Sequence, residues 1–452
     1  MNVHVPVKAD ATQPLPDYSG TPVRADYIPA SDYVSPQFAR REEERLWPRV
    51  WQMACREEEI PKVGDYYTYD IVDDSIIVVR TAPDEIKAYH NVCMHRGRRL
   101  TKGCGHTVKL HCKFHGWQWN LDGKNITAID RDDWGACLKD EDIALATVKV
   151  GRWGGFVYIN MDPDCEPLEE ALYPANTILD PFDLGSMRYK WRKGIIFPCN
   201  WKVAIEAFDE AYHVQETHRQ LLEWMDDITV SFAHGRHGMF AYWTAKPLGM
   251  RSDRLGGGPE DGDLRPGIAA YMQELKDTLN SGASDAMVAA GQRLMQELPP
   301  GTPQAEVLAK FGEYVFEYLQ RENATPPTVA PEQVHAAGTD WHVFPNQVML
   351  SGPTGILGYR VRPNGHDQDS CIWEAYSLHR YPNGESPKVD LEWSDDPADE
   401  KFWGLILCQD YQNMGEVQRG LKSRGFRGAR PNPVQEVPVS NFHRALHEFL
   451  GE

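Results

Sequence analysis

The stretch Asn200–His218 reads NWKVAIEAFDEAYHVQETH, and the interpretation of the rest of the chain depends on it. It contains no glycine or proline, so the pattern predicts a helix. Asn200 is its expected N-cap, because the side chain can accept a hydrogen bond from an N–H of the first turn. At about 100° per residue, Glu206, Glu210 and His213 share one stripe of this helix. Carboxylates among apolar residues are costly to bury unless they are paired or bind a cation.

His218 does not continue this stripe, because it lies about 140° around the helix from His213. For both imidazoles to reach one ion, the helix would have to end or carry a bulge between them. An amphipathic surface helix with two incidental histidines is the alternative. The stretch alone leaves both interpretations open.

Length, charge and hydropathy exclude several classes of protein. A chain of 452 residues is long enough for two or three domains. A net charge of −19 argues against a nucleic-acid or anionic-membrane partner. We find no apolar run of about 18 residues, the length that would cross a membrane, and no apolar segment typical of a secretory signal. We therefore predict a cytoplasmic protein.

The nine cysteines are an odd number, which favours a reduced compartment and metal ligation over a disulfide framework. Only Cys93 and Cys112 have a spacing typical of ligands. The other seven are predicted to be small buried hydrophobic residues: Cys55, Cys104, Cys137, Cys165, Cys199, Cys371 and Cys408.

The periodicity of apolar residues predicts an α+β protein in three parts. Residues 1–45 form an arm and a helix that begins at Ser35 and Pro36. Residues 46–165 have the period of two that is typical of short strands, and predict an all-β domain. Residues 166–452 form a second domain with strands, the Asn200–His218 helix and a last helix at about 396–421. A helical insertion covers about residues 252–335.

Two cysteines and two histidines occur in the β domain as Cys93-x-His95 and Cys112-x2-His115. These four ligands could hold a tetrahedral zinc ion. Structural zinc sites, however, usually pair two close cysteines with two close histidines, whereas each half here contributes one of each. That division is typical of a Rieske [2Fe-2S] cluster, in which cysteines bind one iron and histidines the other.

With CMHRG at 93–97 and CKFHGW at 112–117, the chain resembles the large (α) subunit of the Rieske non-haem iron aromatic-ring-hydroxylating oxygenases. The stretch Asn200–His218 resembles the mononuclear iron motif of the same family. The resemblance extends over about residues 35–430. It implies an N-terminal all-β Rieske domain and a C-terminal helix-grip catalytic domain with an antiparallel sheet and a helical insertion. It also implies a [2Fe-2S] cluster, mononuclear Fe(II) and O2 as co-substrate.

The resemblance further implies that His213 and His218 bind the iron with a carboxylate from a C-terminal helix. Asp410 matches that position, and it lies on an apolar stripe of its predicted helix rather than with the charged residues. Two imidazoles and one carboxylate on one face leave positions open for O2 and substrate. Gln409 and Asn413 are candidates for the groups that orient these ligands.

Family members use a carboxylate three residues before the first iron histidine as a bridge to the Rieske histidine of a neighbouring subunit. Glu210 has that position, where aspartate is common, and the adjacent Asp209 is the less favoured candidate. Such a bridge implies a homotrimer with head-to-tail contacts around a threefold axis. Glu206 is predicted to have a supporting or helix-packing role.

The resemblance implies the terminal oxygenase component of a multicomponent system. The chain has no dinucleotide-binding G-x-G-x-x-G and no plant-type ferredoxin motif, so a separate ferredoxin or NAD(P)H reductase must supply electrons. We predict mono- or cis-dihydroxylation of a small hydrophobic, aromatic compound. Oxidative N- or O-dealkylation is the alternative on the same iron, and an electron-transfer Rieske protein is the alternative of another class. The predicted pocket residues are Phe208, Val214, Leu222, Trp341 and Phe344.

Overall fold

A computed structural model describes residues 27–259, 261–324, 326–382 and 386–451. Most of the predicted N-terminal arm lies outside these residues. The chain forms two compact units, one of residues 40–171 with 364–366 and one of the remaining described residues. Each unit contains strands together with helices or short helical turns. The predicted α+β class is confirmed.

The first unit is built on antiparallel strands. Seven strands form one sheet, in the spatial order Gln52–Arg56, Phe156–Asn160, Thr147–Trp153, Glu85–His90, Asp74–Ala82, Asp65–Ile71 and Cys104–His106. A second sheet contains Leu110–His111, Gln118–Trp119 and Asn125–Thr127. A turn at Asp122–Gly123 joins the last two, and Asp-Gly is a common hairpin-turn pair. Short helical segments cover Glu42–Leu46, Glu57–Glu59, Arg131–Cys137, Asp140–Ile143 and Leu168–Ala171.

The second unit is organised around an eight-stranded sheet of its described residues. Its spatial order is Val230–His234, His237–Ala241, Asp340–Val343, Gln347–Gly352, Gly355–Asn364, Asp367–His379, Arg188–Phe197 and Glu392–Trp393. The last pair is parallel. A separate two-stranded ribbon joins Ile28–Pro29 to Gly428–Ala429.

Helices complete the second unit. The longer ones are Leu264–Thr278, Asp285–Glu297, Gln304–Arg321, Leu405–Leu421 and Val437–Leu450, and the shorter ones are Ser31–Val34, Pro36–Arg41, Ala175–Leu179, Trp201–Glu206, Val214–Thr217, Pro331–Ala337 and Glu400–Trp403. Single-turn 3-10 segments occur at Asp180–Phe182, Leu184–Ser186, Arg219–Glu223 and Asp253–Leu255. The sequence analysis missed Asp285–Glu297 in the insertion. It also missed Val437–Leu450, so the helix predicted to be the last is not.

The predicted continuous helix at Asn200–His218 is wrong. Asn200 does cap the first turn through the N–H of Lys202, but the helix ends at Glu206 and resumes only at Val214–Thr217. Between the two pieces, Phe208 and Asp209 are adjacent in sequence and both buried. Tertiary packing of these side chains outweighs the local helix propensity. One interruption therefore lies before His213, which the sequence analysis did not predict. The second helix ends at Thr217, so His218 lies outside it, and a helix end between the two histidines is present as predicted.

The burial of the cysteines is mixed. Cys55, Cys199, Cys371 and Cys408 are buried as predicted, whereas Cys104 and Cys137 are exposed and Cys165 is half-buried. The exposed pair lies on a short strand and in a 3-10 segment at the surface of the first unit. Within the described part of the chain, no helix is both long and apolar enough to cross a bilayer.

Candidate active site

Two matching turns carry the Cys–His pairs of the first unit. Cys93 and Cys112 are buried, with 3% and 1% of their surface exposed. Each turn is closed by a glycine N–H, from Gly97 to the Cys93 carbonyl at 2.9 Å and from Gly116 to the Cys112 carbonyl at 3.0 Å. Both glycines have φ of +76°, a backbone conformation that side chains disfavour. The two turns therefore present their ligands in the same way.

His95 and His115 face each other across these turns, with ring centroids 4.7 Å apart. The Nδ1 atoms of both rings are buried and have no hydrogen-bond partner among the described residues. Buried polar atoms of this kind are rare unless a ligand satisfies them. Burial and the neighbouring His115 lower the pKa of His95, which favours the neutral, metal-binding imidazole. Two buried thiols and two orphaned imidazole nitrogens fit a [2Fe-2S] cluster.

A second group of ligands lies in the second unit. His213 and His218 stand at the two ends of the one-turn helix Val214–Thr217, which brings both rings to one side. Asp410, from the middle of the helix Leu405–Leu421, places Oδ1 2.8 Å from His218 Nε2 and 3.5 Å from His213 Nε2. The three ligand atoms lie within 4.8 Å of one another. Two imidazoles and one carboxylate in this arrangement fit a non-haem iron ion.

Each imidazole is oriented by an oxygen on its Nδ1. Glu210 Oε1 lies 2.8 Å from His213 Nδ1, and Gln409 Oε1 lies 2.9 Å from His218 Nδ1. Because each Nδ1 is bonded to an oxygen, the Nε2 atom of each ring points toward Asp410. Most metal-binding histidines are oriented in this way, by a hydrogen bond on the nitrogen that does not bind the metal. Glu210 also accepts the backbone N–H of His213 at 3.0 Å.

The electrostatic field at this point favours a cation. Burial alone lowers the pKa of His213, but the carboxylates of Glu210 and Asp410 outweigh it and raise the pKa to about 9. Asp410 itself is only 6% exposed. Asn413, the other predicted orienting residue, donates to the carbonyl of Gln409 at 3.2 Å.

Asp209 has different surroundings from Glu210. It is 1% exposed, and its Oδ2 lies 2.9 Å from Nδ1 of His342. Burial raises the pKa of Asp209 despite this contact, and burial together with Asp209 raises the pKa of the adjacent Asp340. The sequence analysis missed Asp340 and His342. Two polar residues at alternate positions of a buried strand were the available signal.

A cavity of about 390 Å³ opens beside the candidate iron ligands. His213 and Asp410 contribute to its wall together with Glu206, Glu210 and Glu436. Burial raises the pKa of Glu436 to about 7, and the neighbouring carboxylates add to this effect. The sequence analysis did not identify Glu436.

A larger cavity, of about 890 Å³, lies between the insertion and the sheet of the second unit. Its wall is mainly apolar and includes the rings of Tyr242, Tyr271, Phe311 and Phe316. Tyr242 also packs against the buried cluster formed by Ala211, Val214, Leu222 and Phe240. Through this tyrosine the cavity adjoins Val214, the neighbour of His213 in the sequence, whereas none of the three candidate iron ligands lines its wall.

The five residues predicted to line a pocket occupy neither cavity wall. Val214 and Leu222 lie in the cluster behind Tyr242. Phe208 packs on Tyr359 and Trp373, with ring centroids 4.2 and 4.7 Å away. The remaining two pack elsewhere in the core: Trp341 against His234, and Phe344 against Phe442 and Phe449.

Comparison with known families gives two matches. A model of the ring hydroxylating alpha subunit (catalytic domain) matches residues 181–452, and a model of the Rieske [2Fe-2S] domain matches residues 50–133. Together they cover both groups of candidate ligands.

Individual relatives are also named as subunits of oxygenases. The glycine betaine monooxygenase oxygenase subunit of Chromohalobacter salexigens is 33% identical over 432 residues, which cover 92% of this chain and 84% of the relative. Biphenyl 2,3-dioxygenase subunit alpha of Rhodococcus jostii is 30% identical over 191 residues, which cover 41% of this chain and 42% of the relative. The fold is similar to the crystal structure of a quaternary ammonium Rieske monooxygenase with L-carnitine, with a TM-score of 0.64, 18% identity and coverage of 96% and 99%.

These matches agree with the geometry of both sites. The protein is an oxidoreductase that uses a [2Fe-2S] cluster, a mononuclear iron and O2. It is the terminal oxygenase component of its system. The chain therefore belongs to the Rieske oxygenases, as a ring-hydroxylating-type α subunit.

Proposed function

We propose that this oxygenase hydroxylates a neutral, hydrophobic organic compound, aromatic in the simplest case, bound in the larger cavity. The single observation that carries this proposal is the composition of the cavity wall. None of its described residues is Asp, Glu, Lys or Arg. His379 is the one histidine among them, and burial lowers its pKa to about 4, so that it is neutral. Such a wall favours apolar ligands.

The metal ligands belong to the same proposal. Cys93, His95, Cys112 and His115 would hold the cluster, and His213, His218 and Asp410 would hold the iron, on the geometry described above. Iron held there would supply the chemistry of O2 activation. In a monooxygenation one oxygen atom would enter the substrate and the other would leave as water, with two electrons from the separate ferredoxin or reductase and two protons from solvent. Glu210 and Gln409 hold the two imidazoles in place, and Asp410, which is 6% exposed, lies at the wall of the smaller cavity.

We further propose that Glu210 connects the iron to the cluster of a neighbouring copy in a homotrimer. Glu210, and not Asp209, contacts His213 and lines the smaller cavity. The Rieske turns carry exposed arginines beside the ligands, including Arg96 and Arg98, and the exposed ring of Phe114. A basic, partly apolar tip complements a cavity walled by carboxylates. A chain that sediments as a monomer and still turns over would contradict this assembly.

Oxidative N-demethylation of a quaternary ammonium compound is the second candidate. The relative from Chromohalobacter salexigens is named a glycine betaine monooxygenase. The rings of Tyr242 and Tyr271 offer faces on which such a cation can bind. A betaine also carries a carboxylate, and no basic side chain among the described wall residues could pair with it. Within this second class the cavity therefore favours a bulky ammonium without a carboxylate.

A substrate panel separates these candidates. The purified protein, a surrogate ferredoxin and reductase, and 18O2 are combined with a neutral bicyclic arene, an aryl trimethylammonium compound or glycine betaine. Labelled hydroxyarene supports the first proposal, and formaldehyde released from the aryl trimethylammonium supports the second. Formaldehyde from glycine betaine alone would contradict the first proposal and the choice of a carboxylate-free ammonium within the second class, because the betaine carboxylate would need a cationic partner that the larger cavity does not offer among its described wall residues.

Two controls tie the result to the site. Tyr242→Phe keeps an aromatic ring and Tyr242→Leu removes it, so cation binding should survive only the first change. Iron and sulfide analysis should give roughly three irons to two sulfides per chain, whereas an electron-transfer Rieske protein would give two to two. We also keep the cytoplasm as the proposed location and a separate ferredoxin or NAD(P)H reductase as the proposed electron donor.

A further inference from the structure

A second group of two histidines and a carboxylate lies in the same unit as the iron ligands. His443 and His447 are one turn apart on the helix Val437–Leu450, and Asp32 comes from the helix Ser31–Val34. Asp32 Oδ2 lies 3.4 Å from His443 Nδ1 and 2.8 Å from His447 Nε2. All three ligand atoms lie within 4.8 Å of one another.

The orientation of His443 is determined from its other side. Its Nε2 lies 2.7 Å from Glu206 Oε1, and the second oxygen of Glu206 accepts the hydroxyl of Tyr33 at 2.8 Å. A carboxylate on Nε2 favours the tautomer in which Nε2 carries the proton and Nδ1 has a lone pair. Metal-binding histidines are held in this way.

The Nδ1 atom of His443 is the unsatisfied atom of this group. The side chain is 0% exposed, and Nδ1 has no hydrogen-bond partner among the described residues. Burial lowers the pKa of His443, but Glu206 and Asp32 outweigh burial and raise it, so the surroundings favour a positive charge at this nitrogen, 3.4 Å from the carboxylate. A cation bound between this buried nitrogen, the carboxylate oxygen of Asp32 and the imidazole of His447 would give the nitrogen a partner.

We propose that Asp32, His443 and His447 form a second metal site, for a divalent first-row ion such as Zn2+, distinct from the iron site. Bonds of about 2.0–2.2 Å in a tetrahedral site place ligand atoms roughly 3.3–3.6 Å apart. The Asp32–His443 separation already has this value, and the Asp32–His447 pair would have to widen by about 0.6 Å. Water would supply the remaining position, next to the partly exposed His447.

Such an ion would have a structural role. It would tie the N-terminal helix Ser31–Val34 to the C-terminal helix Val437–Leu450, and through Glu206 to the segment that leads to Glu210 and His213. This inference depends only on the geometry around His443, so it can fail while the proposed function stands.

Zinc binding to the intact holoenzyme tests the proposal. Protein with its cluster and iron is incubated with Zn2+, passed through a desalting column and analysed for zinc, iron and sulfide. We expect wild type to retain one zinc per chain more than His447→Gln, with unchanged cluster absorbance. The zinc should also raise the melting temperature of wild type and leave that of His447→Gln unchanged.

Two further variants make the result specific. Asp410→Ala should retain the same zinc as wild type, because it alters only the iron site. His366→Gln is the matched control, since His366 also contacts two carboxylates, Glu43 and Asp73, but is exposed. Equal zinc in wild type and His447→Gln would overturn the proposal, as would loss of zinc in Asp410→Ala. His443→Gln should also lose zinc, but His447→Gln decides the outcome if His443→Gln does not fold.

Discussion

Replacing Gln409 with leucine tests whether the iron site depends on oriented imidazoles. Gln409 Oε1 lies 2.9 Å from His218 Nδ1 and 2.8 Å from Gln220 Nε2. Gln409 precedes Asp410 on the same helix. This helix therefore supplies both the candidate ligand Asp410 and the side chain that orients His218. Leucine has a similar size but no acceptor. The variant therefore leaves a buried imidazole N–H without a partner and the ring without its restraint.

The expected loss can be estimated in two ways. Removing a partner that orients a metal ligand weakens metal affinity by about 10–100-fold, or roughly 1.4–2.7 kcal/mol. Leaving a buried donor unsatisfied costs about 1–3 kcal/mol. His218 is 4% exposed, so water has little access to replace the lost acceptor. The second figure applies to folding, because the N–H lacks its acceptor with and without the metal. The first figure applies to metal affinity, so we expect Fe(II) to bind about 10–100-fold more weakly to Gln409→Leu.

Anaerobic competition with a coloured chelator measures this affinity on protein whose cluster absorbance is intact. Gln220→Leu is the matched control, because Gln220 contacts Gln409 without contacting His218 in the described structure. We expect Gln220→Leu to bind Fe(II) nearly as wild type does. Wild-type affinity in Gln409→Leu, or an equal loss in Gln220→Leu, would refute the reasoning, since the Gln409–His218 bond would then have no role of its own.

Three more predictions follow from the same contacts. Glu210→Gln removes the charge beside His213, so reoxidation of the reduced cluster should slow about 10–100-fold in stopped-flow experiments while the cluster colour persists. Cys112→Ser should abolish the red-brown colour, whereas the exposed Cys104→Ser should keep it. Burial raises the pKa of Glu374, but two paired arginines outweigh it and lower the pKa to about 2. Its stabilisation is thus present above its unfolded pKa of about 4.3 and is lost as pH falls to about 2. At pH 7, chemical denaturation of Glu374→Gln should show a loss of about 3–5 kcal/mol, and the exposed Glu392→Gln should show almost none.

Local signals in the sequence indicate much of the candidate site. The Cys–His turns are short, and each ligand pair is determined by residues within a few positions, including a glycine at positive φ. Asp410 was recognisable because a carboxylate on an apolar helical stripe needs a reason to be buried. The structure places it among buried neighbours such as Ile406 and Met414, although Val417 of the same predicted stripe is half exposed.

Long-range contacts were not predictable in this way. The break after Glu206 depends on Asp209 meeting His342, more than a hundred residues later. Propensity cannot report such a contact, because it describes only neighbours along the chain. The same limit applies to the walls of both cavities, which are formed by segments far apart in sequence.

The break after Glu206 also gives different roles to Glu206 and Glu210, the first two glutamates of the Asn200–His218 stretch. On a continuous helix, Glu206 and Glu210 would share one stripe and compete for the same cation. In the structure, Glu206 holds His443 and Glu210 holds His213, each through one carboxylate oxygen on a ring nitrogen. Each histidine then directs its other nitrogen toward an aspartate, Asp32 or Asp410. Interrupting one helix thus allows adjacent turns of chain to orient two separate groups of candidate metal ligands, one proposed for iron and one for the second ion.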